Sequence, residues 1–485
     1  MKSFRTTGIA VALLAAWVIA APAQTWTKLK TQPSFQTDTA LLLPNGKVMV
    51  HEYNSPNWYE LTPDNTGSYL NGTWSQLGSM PSNYKPLYFA SQVLPDGNVL
   101  VEGGEYNNLS QDETNLGAYY NSRTNKWVAV NPPSGWNEIG DSPSVILPSG
   151  QFFIGRNESE ESALFVEKTL SWTAVGSGKL DDFEEEGFAL LPDGTVLTVD
   201  STGSTDPAEK YIPSEEKWVS ASTTGVRLYD PGSEEIGPEF LLPNGTVFAT
   251  GANASGGGNT SVYTPPSNPT DPGSWTPGPV IPNNDDMADA PGAVLPDGNV
   301  LISTSPGIFN DPITMYEYDG TGFTKVPAPA SAPQTTSYQG RMLVLPTGQV
   351  LYNVADGEHI DTEIYTPSGS PNPAWAPTIT SVPTTITRGK PYVIKGTQFN
   401  GVASGAMYGD DAQMNTNYPI IRITNQSTGH VFYGEAGYPS TSAVGTGSAI
   451  VSTHFEILSS TETGASTLEV VTNGIASDPV NVTIQ

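Results

Sequence analysis

Acidic residues recur at similar distances from a four-residue motif, Leu-Pro-x-Gly, that this chain repeats seven times. Carboxylates that converge in space can bind a cation, accept hydrogen bonds from sugar hydroxyls, or form an acid/base pair once their like charges separate their pKa values. Counting from the motif's leucine, the candidates four to seven residues before it are Asp38, Tyr88, Asp141, Glu185, Glu235, Asp289 and Arg341. The candidates eight to eleven residues after it are His51, Glu52, Glu102, Glu105, Arg156 and Asp200.

The motif predicts the elements that must position these residues. Proline presets φ for a turn, glycine accepts the conformations that follow, and short apolar runs flank each copy, so each copy predicts a β-hairpin. A period of about 50 residues with one hairpin per period is typical of kelch-type β-propeller blades. The copies begin at Leu43, Leu94, Leu147, Leu191, Leu242, Leu295 and Leu345.

A tryptophan-led strand follows in most repeats and gives each blade its fourth strand. Trp74, Trp127 and Trp172 begin such strands, whereas Phe323 takes the tryptophan's place in the sixth repeat. An extra strand of this kind at Trp26 precedes the first hairpin. We therefore expect residues 26–30 to complete the seventh blade and close the ring, which leaves no open sheet edge.

Hairpin geometry then places the candidates on one face. The first strand of each blade starts opposite the turn and the second strand ends there, so both sets of residues should meet at one mouth of the channel. An alternative stays open, because the mouth of any propeller channel is polar and this chain is acidic throughout.

The composition changes after residues 368–373, a Pro-rich linker. Short alternating runs such as Tyr392-Val393-Ile394 and Ile420-Ile421-Arg422-Ile423 then continue to the C-terminus. About 110 residues of this kind predict an immunoglobulin-like β-sandwich. We predict an all-β protein: a signal peptide at 1–23, a seven-bladed kelch-type β-propeller at 24–373, and the β-sandwich at 374–485.

Charge limits the partners. The chain has 49 acidic against 20 basic residues and a net charge of −29, and a field of that sign repels phosphate backbones and anionic lipids. We therefore expect no nucleic acid and no membrane among its partners, and a monomer. The chain has no cysteine, which excludes disulfides and thiolate metal sites.

The N-terminus has the pattern of a signal peptide. Lys2 and Arg5 precede an apolar run at 8–20, and Ala21-Pro22-Ala23 fits a cleavage site before Gln24. The run is too short to be a typical membrane span. We expect a secreted protein.

Seven kelch-like repeats followed by an immunoglobulin-like domain resemble the galactose oxidase/kelch superfamily. The segment Met407-Tyr408-Gly409 to Thr416, followed by Ile420 to Ile423, is similar to that family's early-set C-terminal domain. The resemblance implies that the loop after Tyr408-Gly409 enters the propeller bore. That loop would carry Asp410, Asp411, Gln413 and Asn415, either toward a ligand or as a plug.

The same resemblance argues against the family's copper-radical chemistry. The family offers a histidine to copper from this loop, and the matching position here is Gln413. Its cysteine-linked tyrosine is impossible without cysteine, and none of the four histidines follows a tyrosine. We expect no copper and no other cofactor, although Ca²⁺ stays open.

Three hypotheses of function follow. The first is a secreted, non-redox propeller that binds a polar ligand, most plausibly a carbohydrate, at the acidic mouth, where aromatic residues can stack on sugars. The second is a carbohydrate-active hydrolase or lyase with Glu102 and Glu185 as catalytic candidates. The third is a structural or adhesive protein. The aromatic candidates are Trp58, Tyr59, Tyr88, Tyr106 and Trp136.

Overall fold

The computed structural model describes residues 24–202, 207–404 and 416–485. Across these residues the chain is all-β, interrupted by five short 3₁₀ turns. The signal-peptide prediction at 1–23 and the predicted loop after Tyr408-Gly409, which carries Asp410 to Asn415, lie outside the described residues. The 3₁₀ turns are Glu167–Thr169, Pro282–Asn284, Ala332–Gln334, Ser337–Gln339 and Pro373–Trp375.

Seven four-stranded antiparallel sheets occupy the first three quarters of the described chain. From the innermost strand outward they are Thr37–Leu42, Val48–Glu52, Trp58–Thr62 and Thr73–Gln76 in sheet 1; Ala90–Val93, Val99–Glu102, Gly117–Asn121 and Lys126–Val130 in sheet 2; Ser144–Ile146, Phe152–Gly155, Ser162–Val166 and Ser171–Val175 in sheet 3; Ala189–Leu190, Val196–Val199, Pro207–Ile212 and Lys217–Thr223 in sheet 4; Glu239–Leu241, Val247–Thr250, Thr260–Thr264 and Ser274–Pro277 in sheet 5; Gly292–Val294, Val300–Thr304, Thr314–Tyr318 and Phe323–Lys325 in sheet 6; and Gly340–Val344, Val350–Val354, Thr362–Thr366 and Thr25–Lys28 in sheet 7.

The sheets form a closed ring, the architecture of a β-propeller. The first strand of each sheet contacts the first strand of the next, and that of sheet 7 contacts that of sheet 1. These strands are buried along their whole length, whereas the fourth strands are largely exposed. The apolar core therefore lies between adjacent sheets. A small extra sheet beside sheet 2 contains Pro86–Leu87, Tyr106–Asn107 and Ser110–Gln111.

The Leu-Pro-x-Gly motif joins the first two strands of every sheet, as its turn chemistry predicts. In sheet 1 the Gly46 N–H donates to the Leu43 carbonyl at 2.9 Å, and the Leu43 N–H donates to the Lys47 carbonyl at 2.8 Å. The other six copies make the same pair of hydrogen bonds. The motif glycines all have φ between +75° and +91°, in a region where a side chain is strained.

The N-terminal strand closes the ring. Thr25–Lys28 pairs antiparallel with Thr362–Thr366 as the outermost strand of sheet 7. The Trp26 ring lies 5.4 Å from Tyr352 and 5.0 Å from Tyr365, and its Nε1 donates to the Pro327 carbonyl at 2.7 Å. This pairing joins the two ends of the ring and confirms the expected closure.

After residue 377 the strands form one connected sheet. Neighbouring strands in it are antiparallel, except for one parallel pair. Its core contains Ile394, Phe399 and Leu468, and its immunoglobulin-like identity stays a prediction. In chain order the strands are Thr378–Ser381, Thr385–Ile386, Pro391–Thr397, Ile420–Asn425, Val431–Gly437, Val451–Glu456, Gly464–Thr472, Ile475–Ala476 and Val480–Ile484.

This C-terminal part docks on the face of the ring that carries the motif turns. The Ser442 N–H donates to the Pro148 carbonyl at 3.0 Å, the Ser404 N–H donates to the Leu241 carbonyl at 3.1 Å, and the Tyr418 hydroxyl donates to a carbonyl next to the first motif. The turn face is thus covered, and the opposite face stays accessible. No helix in the described residues is both long and apolar enough to span a membrane.

Replacing Trp26 with alanine should lower the free energy of unfolding by about 2 to 3 kcal/mol, because the side chain is half-buried and loses its ring contacts and its hydrogen bond. Denaturant unfolding of the mature chain measures the change. Thr25→Ala, at an exposed position of the same strand, is the control and should change stability by no more than about 0.5 kcal/mol. Equal effects of the two substitutions would contradict a closing role for Trp26.

Candidate functional site

A cavity of about 420 Å³ opens on the face opposite the motif turns. The residues that precede each first strand and the loops that follow each second strand build its walls, as hairpin geometry requires. Seven of the residues selected from the sequence line it. The lining residues are Tyr53, Leu87, Tyr88, Glu105, Tyr106, Leu109, Asp141, Glu185, Glu235, Asp289, Phe309 and Tyr338.

Left-handed backbone brings several of these side chains to the cavity. Tyr88, Glu185 and Asp289 stand at the same position, six residues before the motif leucine, and have φ of 51°, 53° and 45°. Leu109 and Phe309, on the loops, have φ of 63° and 57°. Positive φ is uncommon for residues other than glycine and costs energy. Five of the twelve lining residues therefore have a backbone conformation that costs free energy.

Carboxylates crowd one wall of the cavity. One oxygen each of Glu185, Glu235 and Asp289 lies within 4.8 Å of the others. Burial first, and then the charge of Glu185, raise the pKa of Glu235 to about 9, although a hydrogen bond with Asp289 opposes the shift. Glu235 is therefore protonated at neutral pH and offers a donor as well as an acceptor to a ligand.

Aromatic rings form the other wall. The Tyr88 ring lies 6.0 Å from Tyr106 and 6.3 Å from Tyr338, and Phe309 lies 4.6 Å from Tyr338. Phe309 is 40% exposed, so its ring remains accessible from solvent. The cavity thus joins flat apolar surfaces to oxygen acceptors.

Three predicted site residues form a buried network beside the cavity rather than lining it. Asp38 Oδ2 is 3.0 Å from His51 Nδ1, and Asp38 Oδ1 is 3.3 Å from Arg341 Nε. Burial acts to raise the pKa of Asp38, but the hydrogen bond from His51 and the charge of Arg341 outweigh it and lower that pKa. Arg341 also donates to the Tyr338 carbonyl at 2.8 Å, and its guanidinium lies 5.7 Å from the Tyr88 ring. Arg341 of this network thus contacts the aromatic wall of the cavity.

Glu102, a predicted catalytic residue, does not reach the cavity. It is fully buried, and neither carboxylate oxygen has a hydrogen-bond partner. Burial raises its pKa well above the usual value, so it is a neutral acid inside sheet 2. The strand end where Glu102 lies is buried, and counting along the chain cannot show that burial.

Asp200 belongs to a second cluster of carboxylates, and the ammonium group of Lys179 lies among them. Lys179 Nζ is 2.7 Å from Asp181, 3.0 Å from Glu186, 3.2 Å from Asp200 and 2.9 Å from Glu209. Burial raises the pKa of Asp200 to about 7, against the opposing charge of Lys179. Asp200 therefore contacts this lysine and is not among the residues that line the cavity.

The other predicted residues also lie away from the cavity. Arg156 pairs with Glu138 and Glu161, and Glu52 accepts hydrogen bonds from Ser55 and Asn57.

Gln413 falls outside the described residues. Of the aromatic candidates, Trp58 and Trp136 are buried in the core, and Tyr59 stacks on Phe35 at 3.7 Å. Only Tyr88 and Tyr106 of that group line the cavity.

Sequence reasoning missed Tyr53, Phe309 and Tyr338. Tyr338 stands seven residues before its motif leucine, the same spacing as Glu235, so a search of both spacings in every repeat would have found it. Tyr53 and Phe309 lie on loops of different length. The motif therefore gave no fixed distance by which to select them.

Comparisons with known proteins bear on the fold. Neither the protein-family models nor the curated proteins gave a match. Among solved structures, a fungal alcohol oxidase of the AA5 family, in complex with copper, is 13% identical with a TM-score of 0.55, and the likeness covers 96% of this chain and 100% of that one.

Two further structures are more distant. They are a streptogramin B lyase, 8% identical with a TM-score of 0.49 over 72% of this chain and 99% of that one, and a virginiamycin B lyase from Staphylococcus aureus, 10% identical with a TM-score of 0.47 over 71% and 99%. At these values the likeness to the oxidase shows a shared fold, and nothing about activity is drawn from any of the three.

The likeness to a copper-bound oxidase makes copper worth testing against the residues present. The described residues lining the cavity supply carboxylate and phenol oxygens but no imidazole, and the chain has no cysteine. His51, close by, has both ring nitrogens engaged with Asp38 and the Ser55 carbonyl. Copper favours imidazole and thiolate ligands, whereas carboxylate oxygens suit hard cations. The donor set therefore does not fit copper.

Lys179→Met should destabilise the protein by about 3 to 5 kcal/mol at pH 8, because it leaves buried carboxylates without their cation. The loss should be smaller at pH 5. Removing the ammonium raises the native pKa of these acids further, and acids whose pKa is raised on folding lose stability as pH rises.

Denaturant unfolding at both pH values measures these losses. Lys217→Met, which breaks an exposed pair with Glu215, is the control, with an expected change under about 1 kcal/mol. A loss that is the same at pH 5 and pH 8 would contradict the electrostatic origin of the effect.

Proposed function

We propose that this chain is a secreted, non-redox β-propeller protein that binds a carbohydrate in the cavity described above. The observation that carries the proposal is the pairing of aromatic rings with crowded carboxyl groups around one accessible space of about 420 Å³, a size within the usual range of small-molecule sites. Export is inferred from the signal-peptide pattern at residues 1–23.

Sugars need both kinds of surface that the cavity offers. The C–H faces of a pyranose pack on aromatic rings, which Tyr88, Tyr106 and Tyr338 provide. The hydroxyls donate to carboxylates and accept from a protonated acid, a role that Glu235 can take because of its raised pKa. An anionic ligand is disfavoured by the same carboxylates.

We infer that the seven sheets are kelch-type blades spanning residues 24–373 and that residues 374–485 form an early-set immunoglobulin-like domain. The monomeric state is also inferred.

The proposal predicts that Tyr106→Ala weakens carbohydrate binding by roughly tenfold or more, because it removes one face of the cavity. A glycan-array screen identifies the sugar, and calorimetry on the mature chain measures the affinity. The matched control is Tyr438→Ala, an exposed tyrosine of the C-terminal part, which should bind as the wild type does. Binding to no glycan on the array would contradict the proposal and leave the structural or adhesive alternative.

A second candidate function is hydrolysis or elimination on a polysaccharide, with Glu235 and Glu185 as the acid/base pair. The observation that favours it is the protonated Glu235 beside Glu185, since a pair of carboxyl groups with separated pKa values can act as acid and base. Glu235 takes the place of Glu102, which the structure buries elsewhere.

This second function predicts the release of reducing ends or unsaturated products from the polysaccharide that the array identifies. Glu185→Gln and Glu235→Gln should each reduce the rate at least 100-fold, while Glu102→Gln should leave it within about twofold. Product release that both cavity variants retain would exclude this pair, and a bound polysaccharide that stays intact would exclude turnover.

A further inference from the structure

The described part of the chain contains two trios of closely spaced carboxylates. In each trio one oxygen per residue lies within 4.8 Å of the other two. One trio lies in the interior of the ring and the other at the cavity. The trios are Asp181, Glu186 and Asp200, and Glu185, Glu235 and Asp289.

The interior trio shows what such a group accommodates in this protein. A primary ammonium, Lys179 Nζ, lies 2.7 to 3.2 Å from all three carboxylates. The same nitrogen is 5.0 Å from the Phe183 ring and 5.7 Å from the Trp218 ring. Three N–H donors reach separate acceptors while aromatic faces stabilise the charge.

The cavity trio repeats this environment around an open space. Tyrosine and phenylalanine rings again stand beside the carboxylates, and Asp141 and Glu105 add two more. No lysine or arginine is among the described residues that line the cavity. Opposite charges attract, so a cation placed among these acids gains more electrostatic free energy than a neutral sugar does.

We propose that the ligand of this cavity carries a primary ammonium group, as a sugar with a free amine does, and that Glu185, Glu235 and Asp289 hold it as the interior trio holds Lys179. This inference rests on the carbohydrate-binding function proposed above and names the class of sugar. The aromatic wall then packs against the pyranose ring.

Proton release accompanies binding of such a ligand. Glu235 faces Glu185, Asp289, Asp141 and Glu105, and burial together with Glu185 raises its pKa to about 9. It therefore enters the complex protonated at pH 7. An ammonium placed beside it favours the ionised form, so the proton leaves to the buffer.

The test compares three oligosaccharides of equal length by calorimetry on the mature chain at pH 7: one of glucosamine, one of N-acetylglucosamine and one of glucose. We expect the free-amine form to bind at least tenfold more tightly than the other two. Its heat should depend on the buffer's ionisation enthalpy, which reports proton release, whereas the heats of the neutral sugars should not.

Variants identify the residues. Glu185→Gln should cost at least tenfold in affinity for the amine, and Glu235→Gln should abolish the buffer dependence of the heat. Glu216→Gln, an exposed carboxylate on a turn-face loop, is the matched control and should change neither. Thermal unfolding verifies that each variant is folded.

The outcomes separate this inference from the function on which it rests. Equal affinity for the three oligosaccharides would overturn the ammonium inference and support carbohydrate binding. Failure of every glycan to bind, including those on the array, would overturn the proposed function and the inference together. Tight amine binding that Glu185→Gln and Glu235→Gln both leave unchanged would overturn the assignment to this cavity.

Discussion

The turn at Leu-Pro-x-Gly is the constraint on which the rest of the ring depends. Its glycine takes a conformation that other residues adopt only with strain, and its two hydrogen bonds set the register between the first and second strands. A one-residue slip in that register would turn every side chain of a strand to the opposite face. Because the same turn recurs seven times, the same face of the ring receives the start of every first strand. The cavity is a consequence of that repetition.

Buried ionisable groups inside the ring are accommodated in three distinct ways. Lys179 neutralises a group of acids, Arg341 and His51 fix Asp38, and Glu102 is held neutral by burial. Each solution costs desolvation free energy that only close pairing or protonation offsets. An acidic chain that folds without disulfides must solve this problem repeatedly. The same physics explains why the pKa of Glu235 at the cavity is raised.

The sequence was sufficient to predict the hairpins, the four-stranded repeat and the closure by Trp26, because all three follow from local turn chemistry and periodicity. Counting back from the turn also found Asp141, Glu185, Glu235 and Asp289, since that distance spans only the first strand and the few residues that precede it. Counting forward from the turn identified fewer of the residues that line the cavity. The second strand ends in loops of unequal length, so Glu102, Arg156 and Asp200 reached three different environments. Pairing of that kind depends on partners in loops that differ from one repeat to the next, such as Glu138 for Arg156 and Lys179 for Asp200.

Backbone strain at the cavity is relevant to the binding function proposed above. A polar rim would require no particular conformation, and its residues could relax to negative φ. Tyr88, Glu185 and Asp289 instead hold positive φ at one repeated position, where a glycine would meet the same backbone demand at lower cost. The large or charged side chains at this position point into a common space. Their backbone conformation costs free energy at each of the three positions. In the binding function proposed above, interactions of those side chains with the ligand would offset that cost.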